Sequence, residues 1–375
     1  MAETSTPAID GRASASASAP TWSETRDALD RRLEQVLADV EETWFRLAPG
    51  VAPGVIDDDL PMLLRRLVQS GGKRIRPAMV HWGWLAATAA PGRRADQHAT
   101  VVEAAAALEL LHVFALVHDD VMDESASRRG RPTTHVGVAA LHRRAGGRGS
   151  DQRFGESIAI LVGDLAHAEA DHLAAGLPPE VRSTYRTTLL ELVQGQRLDL
   201  TGAAAGRRDL AHARSVAEAK SGAYTVQRPL QMGVQVAGGG LEIQHALLRY
   251  GRHAGAAFAL RDDLLGLWGD PGLTGKPVGD DLVAGKPTVV LALAAERLSG
   301  HWRRVVDGRS VVPLDPHEVA GVLDAMVEAG VRDEVEDMIA NEVRVADEAL
   351  DDGQVAPEAA EGLRAMARSL AWREA

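Results

Sequence analysis

Two aspartate clusters carry the carboxylates best spaced for chemistry: Val117-His118-Asp119-Asp120-Val121-Met122-Asp123 and Arg261-Asp262-Asp263-Leu264-Leu265-Gly266. Asp119 and Asp123 lie four residues apart and so share one helical face. Each cluster closes an apolar run, and carboxylates stacked there repel one another unless a cation compensates. Oxygen ligands in a chain without cysteine favour Mg²⁺, which takes one or two carboxylates and completes its octahedron with water and substrate phosphate. Acidic runs alone are usually solvated faces, so the basic residues supply the second signal. Of 41 lysines and arginines only four are lysine: Lys73, Lys220, Lys276 and Lys286. Each lies beside glycine, serine or proline, as in Gly71-Gly72-Lys73-Arg74, Lys220-Ser221-Gly222, Gly275-Lys276-Pro277 and Gly285-Lys286-Pro287. Such places suit a compact, flexible ammonium rather than a planar fork. Arg128 and Arg129, in an Arg-Arg-Gly-Arg-Pro segment just after the first cluster, suit a grip on phosphate oxygens.

The elements that position these residues read as all-α. From Thr21 onward alanine, leucine, glutamate and arginine dominate, apolar residues recur at three- and four-residue spacing, and strand signals are nearly absent. Helices are expected at 23–46, 57–69, 75–90, 96–123, 154–176, 179–202, 212–237, 241–267, 282–299, 316–329, 333–351 and 356–372. Two long connections, 125–152 and 268–281, interrupt them, and connections of that length are usually functional. Residues 1–22 read as an Ala/Ser/Pro-rich disordered tail, an inert extension or a docking segment for a partner or compartment shell, and 23–375 as one helical domain. The start lacks the basic and apolar stretches of a secretory signal.

Composition excludes several classes. Without cysteine there is no disulfide, thiolate metal site or thiol nucleophile, which suits a cytoplasmic setting. A net charge of -12 argues against a nucleic-acid surface, so any phosphate ligand is met locally. The most apolar stretch, Val101 to Val117, contains Glu103, Glu109 and His112, and no membrane span is expected.

Taken in order, Gly71-Gly72-Lys73-Arg74-Ile75-Arg76-Pro77, Leu110-Leu111-His112, Asp119 to Asp123, Arg128-Arg129-Gly130, Gln196-xx-Asp199, Lys220-Ser221, Asp262-Asp263 and Lys276 through Lys286 resemble the motifs of the trans-isoprenyl diphosphate synthases, the polyprenyl synthetase family. The resemblance spans nearly everything after the tail. It implies an isoprenoid synthase type I helical bundle around a deep central cavity, and a homodimer. It implies that Asp119, Asp123 and Asp262, with Asp120 and Asp263 beside them, hold two or three Mg²⁺ ions against an allylic diphosphate. Arg128, Lys220 and Lys276 would neutralise that leaving group, with Ser221, Gln196, Asp280 and Lys286 around it. Lys73, Arg76, His112 and Arg129 would bind isopentenyl diphosphate. His118 and Met122 read as packing residues.

The sequence departs from the family pattern in three places. Gly266 stands where the second cluster usually ends in aspartate, with Asp270 as a candidate replacement; Ala259 follows Phe258 in place of a glutamine; and Arg261 precedes the aspartates. Phe114 and Ala115 lie about 6 to 8 Å down the helix axis from Asp119. A bulky residue only at the deeper of these places resembles enzymes making the C20 product, geranylgeranyl diphosphate, with farnesyl diphosphate the alternative. A class I terpene cyclase shares the first cluster but has no use for Lys73 and Arg76. A metal phosphohydrolase built on His118-Asp119 leaves the lysine loops unexplained.

Overall fold

The computed structural model describes residues 19–47, 49, 54–56, 58–87, 94–128, 130–275, 277–308, 314–351 and 353–374, without the side chains of 94, 95 and 274. Most of the expected tail therefore lies outside the described residues. The order of elements is α1 (Trp22–Leu47), α2 (Leu60–Gln69), α3 (Ile75–Ala87), α4 (Arg94–Met122), β1 (Ser127–Arg128), β2 (Arg131–Pro132), α5 (Thr134–Arg144), α6 (Asp151–Ala175), α7 (Pro179–Ala204) and α8 (Leu210–Val216). A π-helical segment (Ala217–Gln227) runs straight on into α9 (Arg228–Ala237), followed by α10 (Leu241–Trp268), α11 (Pro271–Thr274), α12 (Asp280–Val283), α13 (Val289–Arg297), α14 (Gly300–Val306), α15 (Pro316–Glu328), α16 (Val331–Glu348) and α17 (Pro357–Ala371).

The architecture is all-α, and α4 is its centre. Ala104 to Leu108, Leu110 and Leu111 are fully buried, and α4 packs against α1, α3, α6 and α9. By length and composition Asp96–Met122 could cross a membrane, but two-thirds of its apolar window is buried inside the protein, as a core helix requires. On the other side α10 packs against the π-helical segment, α16 and α17. Glycine permits a close helix approach between α3 and α9: a Cβ on Gly233 would meet the Val80 carbonyl oxygen at 2.1 Å, and one on Gly83 the Leu230 carbonyl oxygen at 2.3 Å.

Among the differences from the sequence expectation are three stretches. The connection 125–152 contains a two-residue hairpin, Ser127 opposite Pro132, and the whole of α5. The buried face of α5 is His135, Val138, Ala139 and His142, so histidines stand where apolar residues would have signalled a helix. The helix expected at 282–299 is two, because Pro287 disfavours helical backbone at Lys286 and Thr288 caps the start of α13 by accepting from the Leu291 N–H. The third, α14, is a seven-residue helix too short to show a period.

Helix α1 is pinned by buried polar contacts. Thr25 Oγ1 lies 3.0 Å from His81 Nδ1 and 2.9 Å from His98 Nε2, amid the rings of Trp22, Trp82 and Trp84. Burial, with the neighbouring His98, pushes His81 down to about 4, and burial lowers His98 as well. His81 Nε2 has no partner, so a proton there would leave a charge buried and unpaired. Since the unfolded chain then binds more protons, the contribution is complete above about pH 6.5 and is lost as pH falls towards 4. Urea titrations across that window should lose about 2–3 kcal/mol of stability through His81, and His81→Gln should flatten the slope. Parallel slopes for the two proteins would show that burial of His81 is not linked to pH.

Candidate active site

One cavity of about 1050 Å³ collects residues from α3, α4, α7, the π-helical segment, α10 and the segment that follows α12. Its wall includes Lys73, Arg76, His112, Phe114, Ala115, Asp119, Arg128, Gln196, Lys220, Ser221, Asp262, Asp263 and Lys286, all expected from the sequence. Asp123 and Asp120 do not line it directly. Arg129 and Lys276 lie outside the described residues.

On the Asp119 side, carboxylates and cations are interleaved. Lys220 Nζ lies 2.8 Å from Asp119 Oδ1 and 2.5 Å from Asp199 Oδ2. Lys286 Nζ lies 2.6 Å from Asp123 Oδ2 and 3.7 Å from Asp281 Oδ1. Arg128 bonds Asp120 Oδ1 through Nε at 2.8 Å and stands 3.6 Å from Asp119 Oδ2. Burial alone would raise Asp119, but Lys220, Lys286 and Arg128 outweigh it and hold the carboxyl well below its ordinary value. Lys220 and Lys286 are likewise held charged: burial lowers them, and the surrounding aspartates more than reverse it. The helix geometry explains the division of labour, since Asp119 and Asp123 share a face while Asp120 is turned about 100° away, towards Arg128.

The second cluster is less uniform. Asp262 is paired with Arg373, whose guanidinium also sits 4.2 Å from the centre of the Phe258 ring. Asp263 instead accepts the Val289 N–H at 2.9 Å, and burial together with Asp281 and Asp262 pushes it well above the usual carboxylate range. It thereby ties the second cluster to the start of α13, where one of its carboxylate oxygens accepts the Val289 N–H. Asp270, the candidate replacement for a carboxylate at 266, caps α11 by accepting the Gly272 N–H at 2.8 Å. The space beside Gly266 is filled by Asp281, whose Oδ2 lies 2.0 Å from where a Cβ would stand. Asp281, not the expected Asp280, is the member of that pair on the cavity wall, because Gly279 starts α12 in a left-handed turn (φ 77°) that leaves Asp280 at its outer first position.

The Lys73 side is built around Tyr224. Arg76 lays its guanidinium 4.0 Å from the centre of the Tyr224 ring and donates to Thr225 Oγ1 at 2.8 Å, while its Nε is buried without a partner. His112 Nδ1 lies 3.1 Å from the Tyr224 hydroxyl. Arg74, the other basic residue of the Gly-Gly-Lys-Arg segment, is used up structurally by Glu109 at 2.5 Å and Asp30 at 3.3 Å. Lys220 and Ser221 depend on the π-helical segment, a widening common at functional sites. Gly195 of α7 lets that segment come close: a Cβ there would stand 2.6 Å from the Lys220 backbone nitrogen.

Sequence reading missed Asp281, Tyr224, Thr225 and Arg373 as cavity residues, and treated Asp199 only as part of a motif. Its three-residue offset from Gln196 was the available signal for Asp199; a lone arginine after a helix offered none for Arg373. His118 is a wall residue whose Nε2 lies 3.1 Å from the Ile160 carbonyl oxygen, as a packing role requires.

Among the described residues no three His, Asp or Glu side chains converge as a ready-made metal cage. The donors fit a hard cation all the same. Asp119 is ionised, lies beside Asp123 on one helix face and looks onto a cavity with Asp262, which is the partial oxygen set that Mg²⁺ uses when substrate phosphate supplies the rest.

Comparison with known proteins agrees with this geometry. The family model described as polyprenyl synthetase matches residues 58–308. The chain is 34% identical over 252 residues to a geranylfarnesyl diphosphate synthase of Aeropyrum pernix, covering 64% of this chain and 71% of that protein. It is 36% identical over 274 residues to a (2E,6E)-farnesyl diphosphate synthase of Mycobacterium tuberculosis, covering 69% and 67%. The crystal structure of a geranylgeranyl pyrophosphate synthase of Corynebacterium glutamicum, complexed with isoprenyl diphosphate and magnesium, superposes with a TM-score of 0.85 at 36% identity, covering 94% of this chain and all of that one. With that match over two-thirds of its length and a cavity lined by the same motifs, the chain belongs to the polyprenyl synthetase family.

Proposed function

We propose that the protein condenses isopentenyl diphosphate with an allylic diphosphate, in the presence of Mg²⁺, to give geranylgeranyl diphosphate. The observation that carries this reading is that two groups of cations, Lys220, Lys286 and Arg128 in one and Lys73 and Arg76 in the other, line a single cavity with an otherwise largely apolar wall. Asp119, Asp123 and Asp262 would hold Mg²⁺, which when bound supplies charge neutralisation for a departing diphosphate.

The protein's own residues do the rest. Lys220 and Arg128 stabilise the charge that accumulates as the allylic carbon–oxygen bond breaks. Lys73, Arg76 and His112 hold isopentenyl diphosphate so that its terminal double-bond carbon faces the carbocation. A carbon–carbon bond forms, the new cation loses a proton to the released pyrophosphate, and a double bond remains in the lengthened chain. Leu116 and Leu192 line the same cavity and shield the cations from water.

Phe114 supports the C20 assignment. Its ring stacks on His167 with centroids 4.6 Å apart and meets His118 edge-on at 4.7 Å, so it is a braced obstacle rather than a mobile one. Phe114→Ala is expected to lengthen the product by one or more five-carbon units. Chromatography of dephosphorylated products tests both points: wild-type protein should stop at C20, and an unchanged product in the variant would refute Phe114 as the floor.

A homodimer forms part of the proposal. Ile160 and Leu161 on α6, with Leu190 and Val193 on the neighbouring α7, are between 41% and 53% exposed and supply apolar surface for a symmetric contact.

A further inference from the structure

We propose that Arg373 is an additional diphosphate-binding residue, held on Asp262 until a metal–diphosphate complex takes that carboxylate. The inference rests on the reading of the site given above. Arg373 lines the cavity, and its side chain is only 10% exposed, although it belongs to the short segment beyond α17. Its present partner is the second-cluster carboxylate best placed to receive a cation, and Asp262 cannot serve a metal and a guanidinium fork equally. The side chain is also incompletely satisfied: Arg373 Nε is buried with no hydrogen-bond partner, so a donor is kept out of water with nothing to bind.

Two further contacts make the exchange local. The face of the guanidinium rests on Phe258, one turn before Asp262, which holds the group at the cavity wall after its carboxylate is taken. The end of α17 is tethered independently, because Arg261 donates from Nε to the Ala371 carbonyl oxygen at 2.5 Å and pairs with Glu336 on its other side. Release from Asp262 therefore frees a cation at the cavity without freeing the helix. A guanidinium suits the task, since its fork matches two phosphate oxygens as well as it matches a carboxylate. Arg261 thus has a use in fixing the segment that delivers Arg373.

Binding experiments on the full chain separate this role from a structural tie. Inorganic pyrophosphate would be titrated calorimetrically in Mg²⁺ into wild-type protein, Arg373→Gln and Arg373→Lys, and Mn²⁺ alone would be followed by electron paramagnetic resonance. Arg373→Gln should bind pyrophosphate about tenfold or more weakly, yet bind Mn²⁺ alone more tightly because Asp262 has lost its competing cation. Arg373→Lys should lie between the two for pyrophosphate. Unchanged pyrophosphate affinity in Arg373→Gln, or weakening of both ligands together with a lowered melting temperature, would overturn the proposal. Failure of the wild-type protein itself to bind pyrophosphate with Mg²⁺ would sink the functional reading beneath it.

Discussion

Asp119→Ala should slow chain elongation by on the order of a thousandfold while leaving the protein folded. Asp119 is the cavity-lining carboxylate of the first cluster, kept ionised against its burial by Lys220, Lys286 and Arg128. Removing it takes away a ligand for the cation that neutralises the leaving group. The fold should tolerate the change because Lys220 retains Asp199 at 2.5 Å and Arg128 retains Asp120 at 2.7 Å. Rapid-quench single-turnover measurement, with radiolabelled isopentenyl diphosphate at saturating concentration, isolates the chemical step. A variant within tenfold of wild type would remove Asp119 from the transition state.

The opposite pattern is expected for Lys220→Met, where both stability and activity fall. Lys220 bridges Asp119 and the buried Asp199, so its loss removes the cation that stands between two carboxylates. One-sided removal from a buried ion pair costs about 3–5 kcal/mol. The lysine's affinity for its proton is raised by these aspartates, so the stabilisation is constant through neutral pH and is lost in strong alkali, as pH rises from the ordinary lysine value through the raised one. Melting should therefore show a destabilised variant at every pH from 6 to 9, recovered in part by Mg²⁺ with pyrophosphate, which restores positive charge at Asp119. Elongation should fall by about a hundredfold or more, from loss of a preorganised donor to the leaving group. Wild-type melting with impaired catalysis would mean that the bridge to Asp199 adds nothing to the fold.

The two cluster-bearing helices, α4 and α10, were legible because each is a long apolar run ended by charged residues. So were three of the four lysines, since Lys73, Lys220 and Lys286 all stand on the cavity wall. Less visible was anything that depends on contacts between distant segments. No local pattern distinguishes Asp280 from Asp281; the left-handed turn at Gly279 decides it. Asp263 reads as a second ligand beside Asp262, and the sequence gives no sign that one of its oxygens also accepts the Val289 N–H, 26 residues further along the chain. The π-helical segment was read as ordinary helix, because widening by one residue leaves the apolar spacing nearly intact while setting Lys220 and Ser221 opposite Gly195. Arg373 reaches Asp262 across 111 residues of sequence, a pairing set by the packing of α17 on α10.

Incubation of the purified protein with Mg²⁺, isopentenyl diphosphate and, separately, the C5, C10 and C15 allylic diphosphates tests the central claim most directly, with pyrophosphate release and product length followed together. The account predicts linear prenyl diphosphates lengthened in five-carbon steps, with one pyrophosphate released for each isopentenyl unit consumed and none without Mg²⁺. Cyclic hydrocarbon from the allylic substrate alone, or phosphate release without any lengthened chain, would contradict it.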